Sequence, residues 1–206
     1  VDAITTFSSL NTAGTLGVTG VSTLTGGAVV QGLTVGTGAG TPLAGYANAV
    51  FGNSAASTAG AGAAITAVGD RALTANTSGN YNTAIGWQTL LNNNTGSNNT
   101  AVGGNSLGSN TSGIQNTAVG RAVLFNNNGG YNTAIGNAAL TNNTSGANNI
   151  GVGYNAGTLL DTGSNNTIIG SVTGTAGMAD TVIIAAGTTE KVRFDSTGLM
   201  TVGGGA

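Results

Sequence analysis

The chain has 206 residues, including 38 glycines, one proline, no cysteine and no histidine, and four basic residues leave it a formal net charge of −2. So few cations exclude the clustered basic face that nucleic acid requires, and the missing thiols and imidazoles narrow nucleophilic and acid–base chemistry. With 5% charged and 4% aromatic residues a large core of aromatics is ruled out, yet near-neutral charge and 39% hydrophobic content also argue against disorder.

Residues 1–40 follow a six-residue rhythm: Gly14, Gly20, Gly26, Gly32 and Gly38 are evenly spaced. Segments between them, such as Thr15-Leu16-Gly17-Val18 and Leu33-Thr34-Val35, alternate like short half-buried strands. A hexad is too short to enclose its own interior, so this region reads as a fibrous β shaft in which partner chains supply the other side.

Residues 41–185 change period. Pro42 marks the junction, and Asn82-Thr83-Ala84-Ile85-Gly86 then recurs with small variations from positions 48, 65, 82, 99, 116, 132, 149 and 166, a step of 17 residues everywhere but one, which is 16. A fixed period of this length is the mark of a solenoid. Each unit reads as a short strand, a glycine corner at Gly86, a second short strand ending at Leu90, and a turn such as Asn92-Asn93-Asn94-Thr95-Gly96. One coil has too little apolar surface to fold alone and must stack on its neighbours. Asp180 to Ile184 looks like a last, shortened copy. In residues 186–206, Lys191-Val192-Arg193-Phe194, Asp195-Ser196-Thr197-Gly198 and Leu199-Met200-Thr201-Val202 read as strand, turn and returning strand. The fold class expected is all-β, a repeat solenoid behind an N-terminal shaft.

Alternation along the strand separates two faces. Ile85 and its equivalents are all large and apolar, so they are assigned to the coil interior together with Thr83 and the leucines. Ala84, Ala101, Ala118 and Ala134 then form a small, uncharged column on the outer face, suited to close approach by another subunit. A charge at Ala101 is therefore expected to break the oligomer. Asn82, Asn99, Asn116, Asn132, Asn149 and Asn166 read as a ladder of amides running through the stack.

These Asn-Thr-Ala-Ile-Gly repeats resemble the Asn-Ser-x-Ala-Ile-Gly repeats of YadA-like head domains in trimeric autotransporter adhesins, and similar repeats in phage tail fibres. The hexads resemble the shafts of such fibres, and Lys191 to Val202 resembles the strand-turn-strand that often precedes an intramolecular chaperone in them. The resemblance implies a left-handed parallel β-roll packed as a homotrimer. It also implies an extracellular, cell-surface or virion location and an adhesive role in host recognition.

The position after the corner glycine varies most. There Trp87, Arg121 and Tyr154 fall on alternate coils, at a spacing of roughly 10 Å for strands about 4.8 Å apart. Such a row suits a sugar chain held by stacking and hydrogen bonding, which makes these three the candidate binding residues and a cell-surface glycan the candidate partner. The carboxylates Asp2, Asp70, Asp161, Asp180, Glu190 and Asp195 provide no pair in one column of adjacent coils, so no enzyme activity, cofactor or metal site is expected. No apolar run of about 18 residues suggests membrane insertion. Two alternatives remain: a structural spacer whose binding tip lies elsewhere, and an ice-binding solenoid using Thr66, Thr83, Thr100, Thr117, Thr133 and Thr167. The inward assignment of these threonines counts against the second.

Overall fold

The computed structural model describes residues 33–35, 48–58 and 62–203. The shaft expected over residues 1–40 and the junction at 41–47 lie outside these, apart from the strand Leu33–Val35. The described residues are all-β, a parallel β-solenoid without helix.

Each of the eight repeats provides one three-residue strand: β2 (Ala49–Phe51), β3 (Thr66–Val68), β4 (Thr83–Ile85), β5 (Thr100–Val102), β6 (Thr117–Val119), β7 (Thr133–Ile135), β8 (Ile150–Val152) and β9 (Thr167–Ile169). Neighbouring strands pair in parallel with the repeats aligned, so Ala84 lies beside Ala101 and Ile85 beside Val102. β1 (Leu33–Val35) also joins the stack, pairing in parallel with β2, so the sheet begins inside the stretch expected to be shaft. At the other end β10 (Val182–Ala186) continues it, with Val182 beside Thr167, one position later than the sequence alignment suggested. β11 (Thr189–Phe194) and β12 (Met200–Val202) then fold back antiparallel, as expected.

The second leg of each coil differs from expectation. It is a chain of turns, in which alternate residues such as Gln88 and Leu90 adopt left-handed φ of 53° and 50°. This alternation lets one leg bond in both directions: Gln88 N–H donates to Asp70 O at 2.9 Å on the preceding coil, and Leu90 N–H to Ser106 O at 3.0 Å on the following one. Leu73, Leu107, Leu124 and Leu140 share the left-handed conformation, and all five leucines are completely buried. Burying a leucine contributes about 1.5–3 kcal/mol, enough to offset the roughly 1–2 kcal/mol that a left-handed residue costs.

The interior corrects the face assignment. Ala84, Ala101, Ala118 and Ala134 have no exposed surface, whereas Ile85 is 39% and Ile135 43% exposed. Ala84 and its equivalents therefore cannot be subunit contacts; they line the inside of the chain's own coil. The reason is volume. The two legs lie so close that leucines from one fill the space above the other, leaving room only for a methyl group. At Gly151, which stands in the alanine column, an added Cβ would already sit 2.8 Å from Leu140 Cγ. Where the leucine column drops to Gly157, Ile168 enters the alanine column and its Cδ1 occupies the gap, 3.1 Å from where a Gly157 Cβ would lie. Val50 and Ala56 show the same exchange in the first repeat, and both are buried.

The remaining interior is polar, and its side-chain groups are paired except for Asn48 Nδ2 and Asn143 Oδ1 among the described residues. Main-chain N–H groups of Asn99, Asn116, Asn132, Asn149 and Asn166 each donate to the side-chain oxygen of the asparagine one coil earlier, at 2.9–3.0 Å. A second ladder, not foreseen, runs through Asn76, Asn93, Asn110, Asn127 and Asn143, each from Asn93 onward donating from Nδ2 to the previous member's Oδ1. Both converge on the turn glycines: Gly96 O accepts from Asn82 Nδ2 at 2.7 Å and from Asn93 Nδ2 at 2.9 Å. The second ladder stops where Leu160 takes its place, leaving Asn143 Oδ1 without a donor among the described residues.

Candidate functional site

Two surfaces emerge from this scaffold. The first is the outward face of the sheet. With alanine inside, the strand residues on either side point out, so Thr66, Thr83, Thr117, Thr133 and Thr167 are half-buried and Thr100 is exposed. Beside them runs an apolar column: Phe51 at 36% exposure, Val119 at 37%, Ile169 at 42% and Ile184 at 43%, with Val68, Val102 and Val152 half-buried between. No charged residue interrupts either column from β2 to β9. Isolated exposed aliphatics are ordinary, whereas a contiguous apolar stripe is uncommon on a soluble monomer.

The second surface is the corner after each strand. Glycines close it because the main chain there has φ near 135° at Gly52, Gly69 and Gly86, a region that side chains avoid. The next residue is thrown outward, and hydrogen bonds hold it in line with its equivalents. Asn105 N–H donates to Trp87 O, Ala122 N–H to Gly104 O, Ala138 N–H to Arg121 O and Asn155 N–H to Asn137 O. Trp87, Arg121 and Tyr154 therefore share one column on alternate coils, and all three are exposed, Trp87 at 53% and Tyr154 at 61%. Gly104 separates Trp87 from Arg121 and leaves an open notch, the nearest atom to a Cβ there being Trp87 O at 3.7 Å.

Sequence reasoning passed over the residues at the other end of the strand. Tyr81 and Tyr131, 65% and 53% exposed, sit in left-handed conformation just before the ladder asparagines, so the outward face is bordered by aromatic groups on both sides. Their alignment was available in the repeat, one residue ahead of each Asn82-type position. The exchange of large and small residues at Val50, Ala56, Gly157 and Ile168 was the signal that would have identified the alanine column as interior.

Charge is sparse and concentrated near the C-terminal end of the stack. Arg193 forms a bidentate pair with Glu190, Nε to Oε1 at 2.9 Å and Nη2 to Oε2 at 2.7 Å. That hydrogen bonding to Arg193 holds the Glu190 carboxyl below its ordinary range. Asp161 is lowered too, chiefly by the Gly177 main-chain N–H and then by that of Thr162. Asp195 is lowered mainly by the Thr197 hydroxyl. Among the described residues no three His, Cys, Asp or Glu side chains gather in a way that would hold a metal ion, and no helix is long and apolar enough to cross a membrane.

Comparison of the chain with family models, with curated proteins and with solved structures gives no match.

Proposed function

We propose that the chain is a non-catalytic segment of a homotrimeric fibre that projects from a virion or cell and meets a target surface. The observation that carries this is the uncharged apolar stripe on the outward face of the sheet, which a lone chain leaves in water. Its occupant is a second copy of the chain. The stripe is uncharged and repeats at the strand spacing of about 4.8 Å, a period that another copy matches rung for rung. Three copies, as the resemblance to YadA-like heads implies, bury it symmetrically. The subunit contact thus moves from Ala84 and its equivalents to Ile85, Val102, Val119 and Ile135. Trp87, Arg121 and Tyr154 line the neighbouring corner, where a row of stacking and hydrogen-bonding groups suits a glycan chain.

The test is solution mass by light scattering, followed by a glycan array on the same sample. A trimer that binds selected glycans, and loses them in Trp87→Ala, supports the adhesive reading. A trimer that binds none leaves the spacer reading. A monomer overturns the fibre.

One observation favours a second reading. The threonine column faces outward beside the aliphatic column, which removes the inward-facing argument against ice binding, while the absence of paired Thr-x-Thr runs in β2 to β9 still counts against it; what is left is a regular Thr/Ile array on a parallel sheet. Both uses need the same face, so a monomer that shapes growing ice crystals would establish this reading and exclude the trimer.

A further inference from the structure

The turn glycine of each coil has no alternative. A Cβ on Gly79, Gly96, Gly113, Gly129 or Gly146 would lie 1.9–2.5 Å from a carbonyl oxygen of the next coil. In the other fully described repeats the residue before this glycine carries a hydroxyl: Ser78, Thr95, Ser112, Ser145 and Thr162. The repeat of 16 residues, which begins at Asn116, lacks that residue, so Asn128 is brought directly against Gly129. This is the chain's one Asn-Gly pair.

We propose that Asn128 is a site of spontaneous deamidation in the folded protein. Three features meet there. Asn128 is exposed to water, and the Gly129 N–H donates no hydrogen bond to any described residue. Glycine offers no side chain to obstruct ring closure onto its nitrogen. The Asn128 side-chain oxygen accepts three hydrogen bonds, from Thr111 N–H at 2.7 Å, Thr111 Oγ1 at 2.7 Å and Ser112 N–H at 3.3 Å. Donors so placed withdraw electrons from Cγ and stabilise the oxyanion formed when it is attacked.

In the reaction the Gly129 nitrogen bonds to Asn128 Cγ and the Cγ–Nδ2 bond breaks. Nδ2 leaves as ammonia with the proton lost from Gly129. Water then opens the cyclic imide. Cleavage at Cγ gives aspartate; cleavage at the main-chain carbonyl gives isoaspartate, which lengthens the main chain by one carbon in the coil that is a residue short. A carboxylate is already accommodated in this column two coils later, where Asp161 accepts from Thr162 N–H at 2.7 Å and Gly177 N–H at 2.8 Å.

The test is ageing of the intact chain at mildly alkaline pH, with peptide mass mapping and isoaspartyl methyltransferase labelling. Conversion concentrated at Asn128, absent at Asn94 in the same column where threonine follows, and lost in Asn128→Thr is the result expected. Threonine already occupies this position as Thr111 and Thr144, so that variant retains the coil. Thr111→Val, checked for an unchanged melting curve, should slow conversion by removing one donor. An intact Asn128 in the folded chain, under conditions in which the unfolded chain converts, would overturn the proposal. An unchanged rate in Thr111→Val would overturn the role given to that donor.

Discussion

The main-chain N–H of Asn99 donates to Oδ1 of Asn82 at 3.0 Å, and both residues have no exposed surface. This contact ties the start of one coil to the start of the one before, and its repetition makes every ladder asparagine both donor and acceptor. Asn99 Nδ2 also donates to Gly113 O at 2.8 Å, while Asn99 Oδ1 accepts the Asn116 N–H at 3.0 Å. Asn99→Ala should therefore strand the buried Asn116 N–H and leave Gly113 O with only its 3.2 Å bond from Asn110 Nδ2. At about 1–3 kcal/mol for an unsatisfied buried group, the loss is about 1–3 kcal/mol. Thermal or urea unfolding measures it, and a change within about 0.5 kcal/mol would contradict the ladder's role.

The corrected faces change the outcome expected of a charge at Ala101. Ala101→Asp places an unpaired charge in the closed interior and should unfold the surrounding coils. Val119→Asp places it on the outward stripe, where the single coil tolerates it and association does not. Circular dichroism and light scattering on the two variants distinguish the effects: lost sheet signal for the first, retained sheet signal with a fall to monomer mass for the second. A Val119→Asp protein that remains oligomeric would remove this stripe as the contact.

Two glycines close in sequence should differ sharply. In Gly96→Ala the new methyl group would lie 2.3 Å from Asn93 Oδ1 and 2.5 Å from Gly113 O, so two coils must separate. In Gly104→Ala its nearest neighbour is Trp87 O at 3.7 Å, ordinary contact distance. Melting temperature should drop markedly in the first and stay close to that of the parent in the second.

Acid should loosen the C-terminal hairpin before the stack. Glu190 and Asp195, both in the hairpin, have carboxyl groups held below their ordinary range; in the stack Asp161 alone is held so, at a turn near its C-terminal end. A lowered folded pKa gives stability that is present above the unfolded value of about 4 and is lost as pH falls through the folded value. The asparagine ladders carry no titrating group. Nuclear magnetic resonance spectra recorded from pH 6 to strong acid should show β11 and β12 shifting while the resonances of Asn99, Asn116 and Asn132 stay in place. Equal, simultaneous change in both regions would contradict this.

The period, the strand positions, the glycine corners and the first asparagine ladder could all be read from the chain, because each repeats and each has a local cause. Parallel pairing with the repeats in line follows from that period, and so does the shared column of Trp87, Arg121 and Tyr154. Only the tertiary structure decided which side of the strand is inside. Alternation distinguishes Ala84 from Ile85 without saying which faces inward, and the larger residue was assigned to the core on the habit of globular proteins. In a coil this thin the opposing leucine takes the available volume, so alanine goes inside and isoleucine outside. The left-handed conformation of Leu90 was hidden for the same reason: nothing local favours it, and it persists because burial of its side chain and hydrogen bonds to the coils on either side outweigh its strain.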